Sequence, residues 1–372
     1  MTPQSFCSYL FLLVYVAAII AKPSPYRALY MVPLIALYTY AVFFTQPTGD
    51  AHSDYYIGLN MSIPLAYASS YIFLSDPQLY LRRKGQKELA YQMPFIPRLR
   101  WATDLAFNCR AVGWDCELPK LRRSLLSRWP FVRTQLLWLV YYYAMNDLAS
   151  YLNSRNPATW KESDEHFGTH GFLWQIWNVM LFWGTVIAHM SVNYTLLSII
   201  MVAIGWYDPS DFPAYFGRWL DTVSVRKFWG QSWHQLIRRS LQPHGQYLAR
   251  NIFGFQKGTT LSSYTQLFAC FFLSGVYHAA GDWTLAHNVD IAKHTMQFYM
   301  LQAMAITFED GVIAVAKRFG VRRVPLLPYL WVIFWLTIST PVWATGMARG
   351  GLGDFPPRFP IIPTIIKKFN AA

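Results

Sequence analysis

Within the stretch FFLSGVYHAAGDW, residues 271–283, a histidine, His278, stands in a largely apolar run, with Ser274 four residues before it and Asp282 four after. Residues four apart share a helix face, so this spacing puts a hydroxyl, an imidazole and a carboxylate on one side. A neutral imidazole, with an ordinary pKa of about 6.5, can take a proton from a hydroxyl near neutral pH. Ionisable groups in apolar spans are costly and face a bundle interior or a wet cavity. Spacing alone leaves two readings open: a general base, or a histidine that only bonds a neighbouring helix. Gly275 is small enough to let a helix or a ligand approach the backbone beside it.

A second histidine, His234, lies in SVRKFWGQSWHQLIRRSL, residues 224–241. Phe228, Trp229, Trp233, Leu236 and Ile237 fall on one face at helical spacing; Lys227, Gln231, Gln235, Arg238 and Arg239 fall on the other. The pattern predicts an interfacial amphipathic helix with its basic face toward water and phosphates. Gly230 marks a kink or a close packing near the tryptophans. His234 sits where the two faces meet, and an imidazole with a wet polar edge is the simple reading. In LQAMAITFEDGVIAV, residues 301–315, Glu309 and Asp310 interrupt an apolar segment. Such carboxylates must be paired, wetted or protonated, or else they sit at the end of the segment, ahead of Lys317 and Arg318. No glycine-rich phosphate loop, G-x-S-x-G elbow or H-E-x-x-H pair is present. Cys7, Cys109, Cys116 and Cys270 fit neither a zinc nor a disulfide pattern, so they read as reduced thiols and no metal is expected.

These groups need a scaffold, and composition names its class. Of the 372 residues only 14% are charged and 54% are hydrophobic, against roughly a quarter charged in a soluble domain. A polytopic integral membrane protein follows. Helical crossings of about 20 apolar residues are predicted near 8–22, 29–46, 56–75, 130–152, 171–206, 264–281, 296–316 and 325–346, which makes about eight. The segment 171–206 is too long for one straight crossing; it doubles back or crosses once as a long or broken helix, and the single crossing is preferred. Basic loops at 22–28 and 76–129 alternate with acidic ones at 47–55 and 161–166, which puts the basic loops in the cytosol and both termini in the lumen. The formal charge of +13 resides in such loops, where it suits membrane lipid or a phosphate-bearing cofactor, so no nucleic acid partner is expected. The tail GDFPPRFPIIPTIIKK is expected to be an extended cover on the membrane surface, and residues 1–372 form a single membrane-embedded domain.

Four motifs, RAVGW (110–114), FWGQSWHQLIRR (228–239), FLSGVYH (272–278) and FED (308–310), together resemble the wax synthase-like branch of the membrane-bound O-acyltransferases. The similarity covers about 100–316, the motif-bearing core, and looks closest to fungal enzymes that acetylate hydroxyls of terpenoid, meroterpenoid or polyketide metabolites. The resemblance implies an all-α polytopic fold with interfacial amphipathic helices, enclosing a reaction tunnel in the endoplasmic reticulum membrane. It also implies acetyl transfer from acetyl-CoA, as co-substrate, to a lipophilic alcohol acceptor. His278 would be the general base and His234 a second active-site residue, with Asp282, Glu309 or Ser274 as orienting groups. Lys227, Arg238 and Arg239 would meet the CoA phosphates, although Gln231 and Ser232 stand where family members often carry arginines. A long-chain wax synthase shares every one of these residues. A transporter and a membrane terpene cyclase are the rivals from other classes.

Overall fold

Each of the eight predicted crossings is a helix. The computed structural model describes residues 2–119, 121–321, 324–353, 356 and 359–370, with the backbone alone at 367, 369 and 370. In chain order come α1 (Pro3–Ile20), α2 (Met31–Phe43), α3 (Ala51–Ser69), the short α4 (Pro77–Tyr80) and α5 (Phe95–Phe107). Then follow α6 (Arg128–Asn153), α7 (Phe172–Ala203), the single turn α8 (Val225–Lys227), α9 (Arg238–Tyr247) and α10 (Thr260–Ala286). The last are α11 (Val289–Arg318), α12 (Leu327–Arg349) and α13 (Ile362–Asn370). Among the described residues no strand forms; the one isolated bridge joins Arg83 to Trp114.

Among the described residues, six stretches are long and apolar enough to cross a membrane: Pro3–Ile20, Pro25–Phe43, Ala51–Leu74, Phe172–Ala203, Val289–Arg318 and Leu327–Arg349. The other two predicted crossings, α6 and α10, have 26 and 27 residues, about 39–40 Å at 1.5 Å per residue. They are long enough but more polar. Many of their polar side chains are turned inward: Asn146, Asp147, Ser150 and Asn153 on α6, and Ser274, Asp282 and Thr284 on α10, are all buried. Of the readings of 171–206, the one of a broken or doubled-back helix does not hold, because α7 runs unbroken for 32 residues.

The chain packs as two compact units, one of Met1–Lys120 with Gln235–Val321, the other of Leu121–His234 with Arg322–Ala372. In the first, α10 is held between α3 and α11. Asn288 caps α11 by accepting from the Asp290 N–H, while His287 just before it is left-handed (φ 48°). That conformation is tolerated by His better than by most residues, and it turns the chain back so that α11 lies against α10. On the other side α3 comes very close. A Cβ on Gly58 would lie 2.1 Å from the Ala280 carbonyl oxygen, and one on Gly281 would lie 2.9 Å from Tyr55. Small residues at such crossings replace the hydrophobic drive that lipid does not supply between helices.

In the second unit α6 and α7 form a hairpin zipped by buried amides. Asn153 donates to Thr185 at 3.1 Å, and Asn156 donates to Asn178 at 2.8 Å. Each such bond contributes only about 0.6 kcal/mol inside a membrane, so the register rests on the set and on packing, not on any one of them. On α12, Thr340 accepts from the buried Trp183 indole of α7 at 2.9 Å.

Two local expectations change. The segment 224–241 is not one amphipathic helix: α8 passes into a π-turn over Phe228–Ser232, Trp233 is extended (ψ 154°), and α9 begins only at Arg238. The cause is tertiary, since the Ser232 carbonyl accepts from Gly217 N–H at 2.9 Å and is thereby taken out of a helix ladder. The tail is not merely extended either. Asp147 of α6 accepts from the N–H groups of Ile361 and Ile362, at 3.0 and 2.7 Å, and so caps the start of α13. Positions 354, 355, 357 and 358 of that tail lie outside the described residues.

Gly58→Ala should lower the melting temperature of the detergent-solubilised protein, because forcing a methyl into that contact costs about 1–3 kcal/mol. Gly184→Ala, where a Cβ meets nothing within 4 Å, should leave it unchanged or raise it slightly. Equal melting of the Gly58 variant and the wild type would contradict the close crossing.

Candidate active site

His278 lies partly buried on α10, and its orientation is set by its own helix. Its Nδ1 is 2.8 Å from the main-chain carbonyl oxygen of Ser274. A carbonyl only accepts, so Nδ1 carries the hydrogen and the Nε2 lone pair is the basic one. Tyr299 of α11 lies over the imidazole, ring centroids 4.7 Å apart. Gly275 makes that possible: a Cβ there would lie 2.9 Å from Met296 Sδ and 3.3 Å from Tyr299 Cβ. The glycine read from the sequence as a place of close approach is where α11 comes in.

The expected carboxylate partners lie elsewhere. Asp282 is fully buried, and its Oδ2 accepts from the hydroxyl of Thr295 on α11. Its Oδ1 has no hydrogen-bond partner among the described residues. Asp282 therefore ties α10 to α11, and the bond that fixes the His278 tautomer comes from the Ser274 backbone. Glu309 is buried on α11, ten residues and about 15 Å of helix rise beyond Tyr299, so the fold does not bring it to His278. Its neighbour Asp310 accepts from the Tyr264 hydroxyl at 2.9 Å.

Of the three cations, Arg239 bonds groups remote in sequence. Its guanidinium donates to Tyr71 Oη at 3.3 Å, to Cys116 Sγ at 3.2 Å and to the Asn108 carbonyl at 3.5 Å. Burial works against its charge, but the surrounding Tyr71, Cys116 and Tyr67 raise its pKa above the ordinary guanidinium value. This joins the RAVGW loop to α9. The loop is itself knotted: Asn108 holds Val112 by both N–H and carbonyl at 2.9 Å, and the Trp114 indole donates to the buried Asp104 at 2.8 Å. Arg238 donates to Gln235 Oε1 at 3.2 Å, and burial lowers its pKa. Lys227 is partly buried at the end of α8, where its N–H donates to Ser224 Oγ at 3.0 Å.

In the second unit His234 stands in an aromatic wall. Trp233, Tyr215 and Phe216 have ring centroids 5.1, 6.0 and 6.3 Å from the imidazole. Trp233 packs edge-on to Trp183 at 4.8 Å. A loop that the sequence did not single out, AYFGRWLDT (214–222), builds half of this wall. Gly217 lets it close, because a Cβ there would sit 2.1 Å from the Gln231 carbonyl oxygen. Thr222 bonds Ser232 at 2.6 Å, and Ser232 in turn donates to the Arg218 carbonyl. The available signal was the aromatic pair followed directly by glycine. Tyr299 had no such signal, since one tyrosine on an apolar helix is ordinary. Among the described residues no three His, Cys, Asp or Glu side chains gather as metal ligands.

Comparison with known proteins adds an independent view of these elements. Residues 212–301, which include both histidines and the 214–222 loop, match the membrane bound O-acyl transferase family. Residues 127–203, the α6–α7 hairpin, match the aspirochlorine biosynthesis protein F C-terminal domain. The chain is 36% identical over 338 residues to acetyltransferase ple2 of Rhodocybe pseudopiperita, covering 88% of this chain and 87% of that one. It is 28% identical over 346 residues to acetyltransferase eriL of Hericium erinaceus, covering 90% and 88%. With acetyltransferase aurG of Calcarisporium arbuscula the identity is 30% over 267 residues, covering 67% and 65%. No solved structure matches.

Arg239→Lys discriminates a structural tie from a simple positive charge. Lysine keeps the charge but lacks the planar fork that reaches three groups, so both Arg239→Lys and Arg239→Ala should melt well below wild type. Hydrogen bonds to a charged group are worth about 1.5–3 kcal/mol each. A lysine variant as stable as wild type would remove the tie.

Proposed function

The chain belongs to the membrane-bound O-acyl transferase family, and from that premise we propose that it transfers an acetyl group from acetyl-CoA to a hydroxyl of a lipophilic secondary metabolite. The names of the relatives, all acetyltransferases, support acetyl over a longer acyl chain. His278 is the general base. The observation that carries this is the Nδ1 bond to Ser274, which leaves Nε2 as the proton acceptor.

The reaction is a direct transfer. Nε2 of His278 takes the acceptor hydroxyl proton as that oxygen attacks the thioester carbonyl. The C–S bond then breaks, and the proton returns from the imidazolium to the departing CoA sulfur. His234 orients the thioester or donates a hydrogen bond to the developing oxyanion. Lys227, Arg238 and Arg239 are assigned to the CoA phosphates, Arg239 chiefly through the loop it holds. A membrane setting suits the two substrates, because the anionic coenzyme stays in water while the acceptor partitions into lipid. Limited water access would also suppress thioester hydrolysis.

We read residues 1–372 as one acyltransferase domain, because the family match at 212–301 begins in one packing unit and ends in the other. The endoplasmic reticulum is the assigned membrane, as the family resemblance implies.

Membranes carrying each variant would be supplied with labelled acetyl-CoA and a panel of lipophilic alcohols. His278→Ala and His278→Gln, shown to be folded, should lose about 10²–10⁴-fold in ester formation. Asp282→Asn should stay within about tenfold of wild type, since Asp282 bonds Thr295 and not the imidazole. Full activity in both His278 variants would discard the base. Ester formed only from labelled palmitoyl-CoA would discard the acetyl assignment.

A further inference from the structure

The proton that His278 takes from the acceptor turns a neutral imidazole into a cation. That charge forms on a partly buried ring, where stabilising it falls largely to the groups packed around the ring. The two carboxylates considered as partners are placed otherwise. Asp282 is taken by the Thr295 hydroxyl, and Glu309 lies well beyond Tyr299 along α11.

Tyr299 meets the imidazole directly. It is only 3% exposed. The two ring centroids are 4.7 Å apart, with the planes tilted by 33°. That is inside the roughly 6 Å over which an aromatic face attracts a cation.

Three contacts hold the phenol there. Gly275 lacks the Cβ that would stand 3.3 Å from Tyr299 Cβ. The Tyr299 hydroxyl is hydrogen-bonded to the Ser274 side chain. Phe298, fully buried, packs edge-on to the phenol with centroids 5.2 Å apart. Ser274 therefore anchors both rings, the imidazole through its carbonyl and the phenol through its hydroxyl. The stacking is built into the α10–α11 crossing.

An aromatic face carries negative charge density, so it favours a cation far more than a neutral ring. The attraction is thus stronger in the transition state than before it, which is the condition for lowering a barrier.

We propose that Tyr299 is a positioning residue of the transfer: it holds the His278 ring in place, and its π face stabilises the imidazolium that forms when Nε2 takes the proton. No bond forms to Tyr299, and the proton passes on to the CoA sulfur as described above. The proposal rests on the acyltransferase reading, with His278 as base, and deepens it.

The test is a series at position 299 of the full chain in membranes. It runs from Tyr299→Phe to phenylalanines bearing one, two and three ring fluorines, introduced by nonsense suppression. Each fluorine weakens the π face and leaves the shape nearly unchanged. In single turnovers Tyr299→Phe should transfer acetyl within about threefold of the wild-type rate. The rate should then fall with every fluorine, by about two- to thirtyfold in all. The acetyl-CoA concentration giving half that rate should not change. In a His278→Gln background the residual rate should be the same across the series, because no imidazolium forms. Independently of activity, proton NMR in nanodiscs should find the His278 ring protons shifted upfield by the neighbouring ring in wild type and Tyr299→Phe, and not in Tyr299→Leu.

A flat rate across the folded series, with His278→Gln inactive, removes the role of Tyr299 and keeps the base. Wild-type rates in His278→Gln remove both. A fluorine dependence that persists in His278→Gln assigns the effect to packing and overturns the proposal. Ring protons that do not move in Tyr299→Leu contradict the stacking itself.

Discussion

The arrangement around His278 depends on how closely three helices approach one another. Lipid tails give helices no hydrophobic reason to associate, so contact must come from fit. Along α10 that fit is made where side chains are missing. Gly281 admits Tyr55, Gly58 of α3 meets the backbone at Ala280, and Gly275 admits Met296 and Tyr299 of α11. With α10 fixed on both sides, the bond from His278 to the Ser274 carbonyl points the imidazole in one direction and in one tautomer. The chemistry proposed for Nε2 is a consequence of that packing.

Buried polar groups elsewhere serve the same end by other means. Asp282 and Thr295 bond α10 to α11 deep in the first unit, while amides zip α6 to α7 in the second. An unpaired amide or carboxylate in hydrocarbon is costly, so each pair discourages sliding of its helices more strongly than it adds net stability. Arg239 does this across a long sequence distance, reaching from α9 to a loop more than a hundred residues earlier. The RAVGW and IRR motifs are thus parts of one packed structure.

Much of this was legible in the sequence. The apolar runs mark the helices because a span must satisfy its own backbone groups, and the spacing of Ser274, His278 and Asp282 marks one face of α10. Gly275 could be singled out because it lies beside the histidine, whereas Gly58 is one small residue among many on α3. The failure at 224–241 has a specific cause. Helical periodicity is a local property, but the Ser232 carbonyl is captured by Gly217, and no pattern within 224–241 records that. For the same reason the sequence places Arg239 on a wet basic face, since its partners Tyr71, Asn108 and Cys116 are remote in sequence. Asp282 was in the right place for an orienting carboxylate, and only Thr295 on the next helix shows why it does something else.

The proposed chemistry requires His278 to hold its proton on Nδ1 and to present an unprotonated Nε2 as the proton acceptor. The most direct measurement is ¹⁵N NMR of histidine-labelled protein in nanodiscs, with the His278 signals assigned by their loss in His278→Gln. A ring protonated at Nδ1, hydrogen-bonded there, with an unprotonated Nε2 is the expected result. A neutral ring carrying its proton on Nε2, with Nδ1 bare, would contradict the orientation on which the proposed base depends.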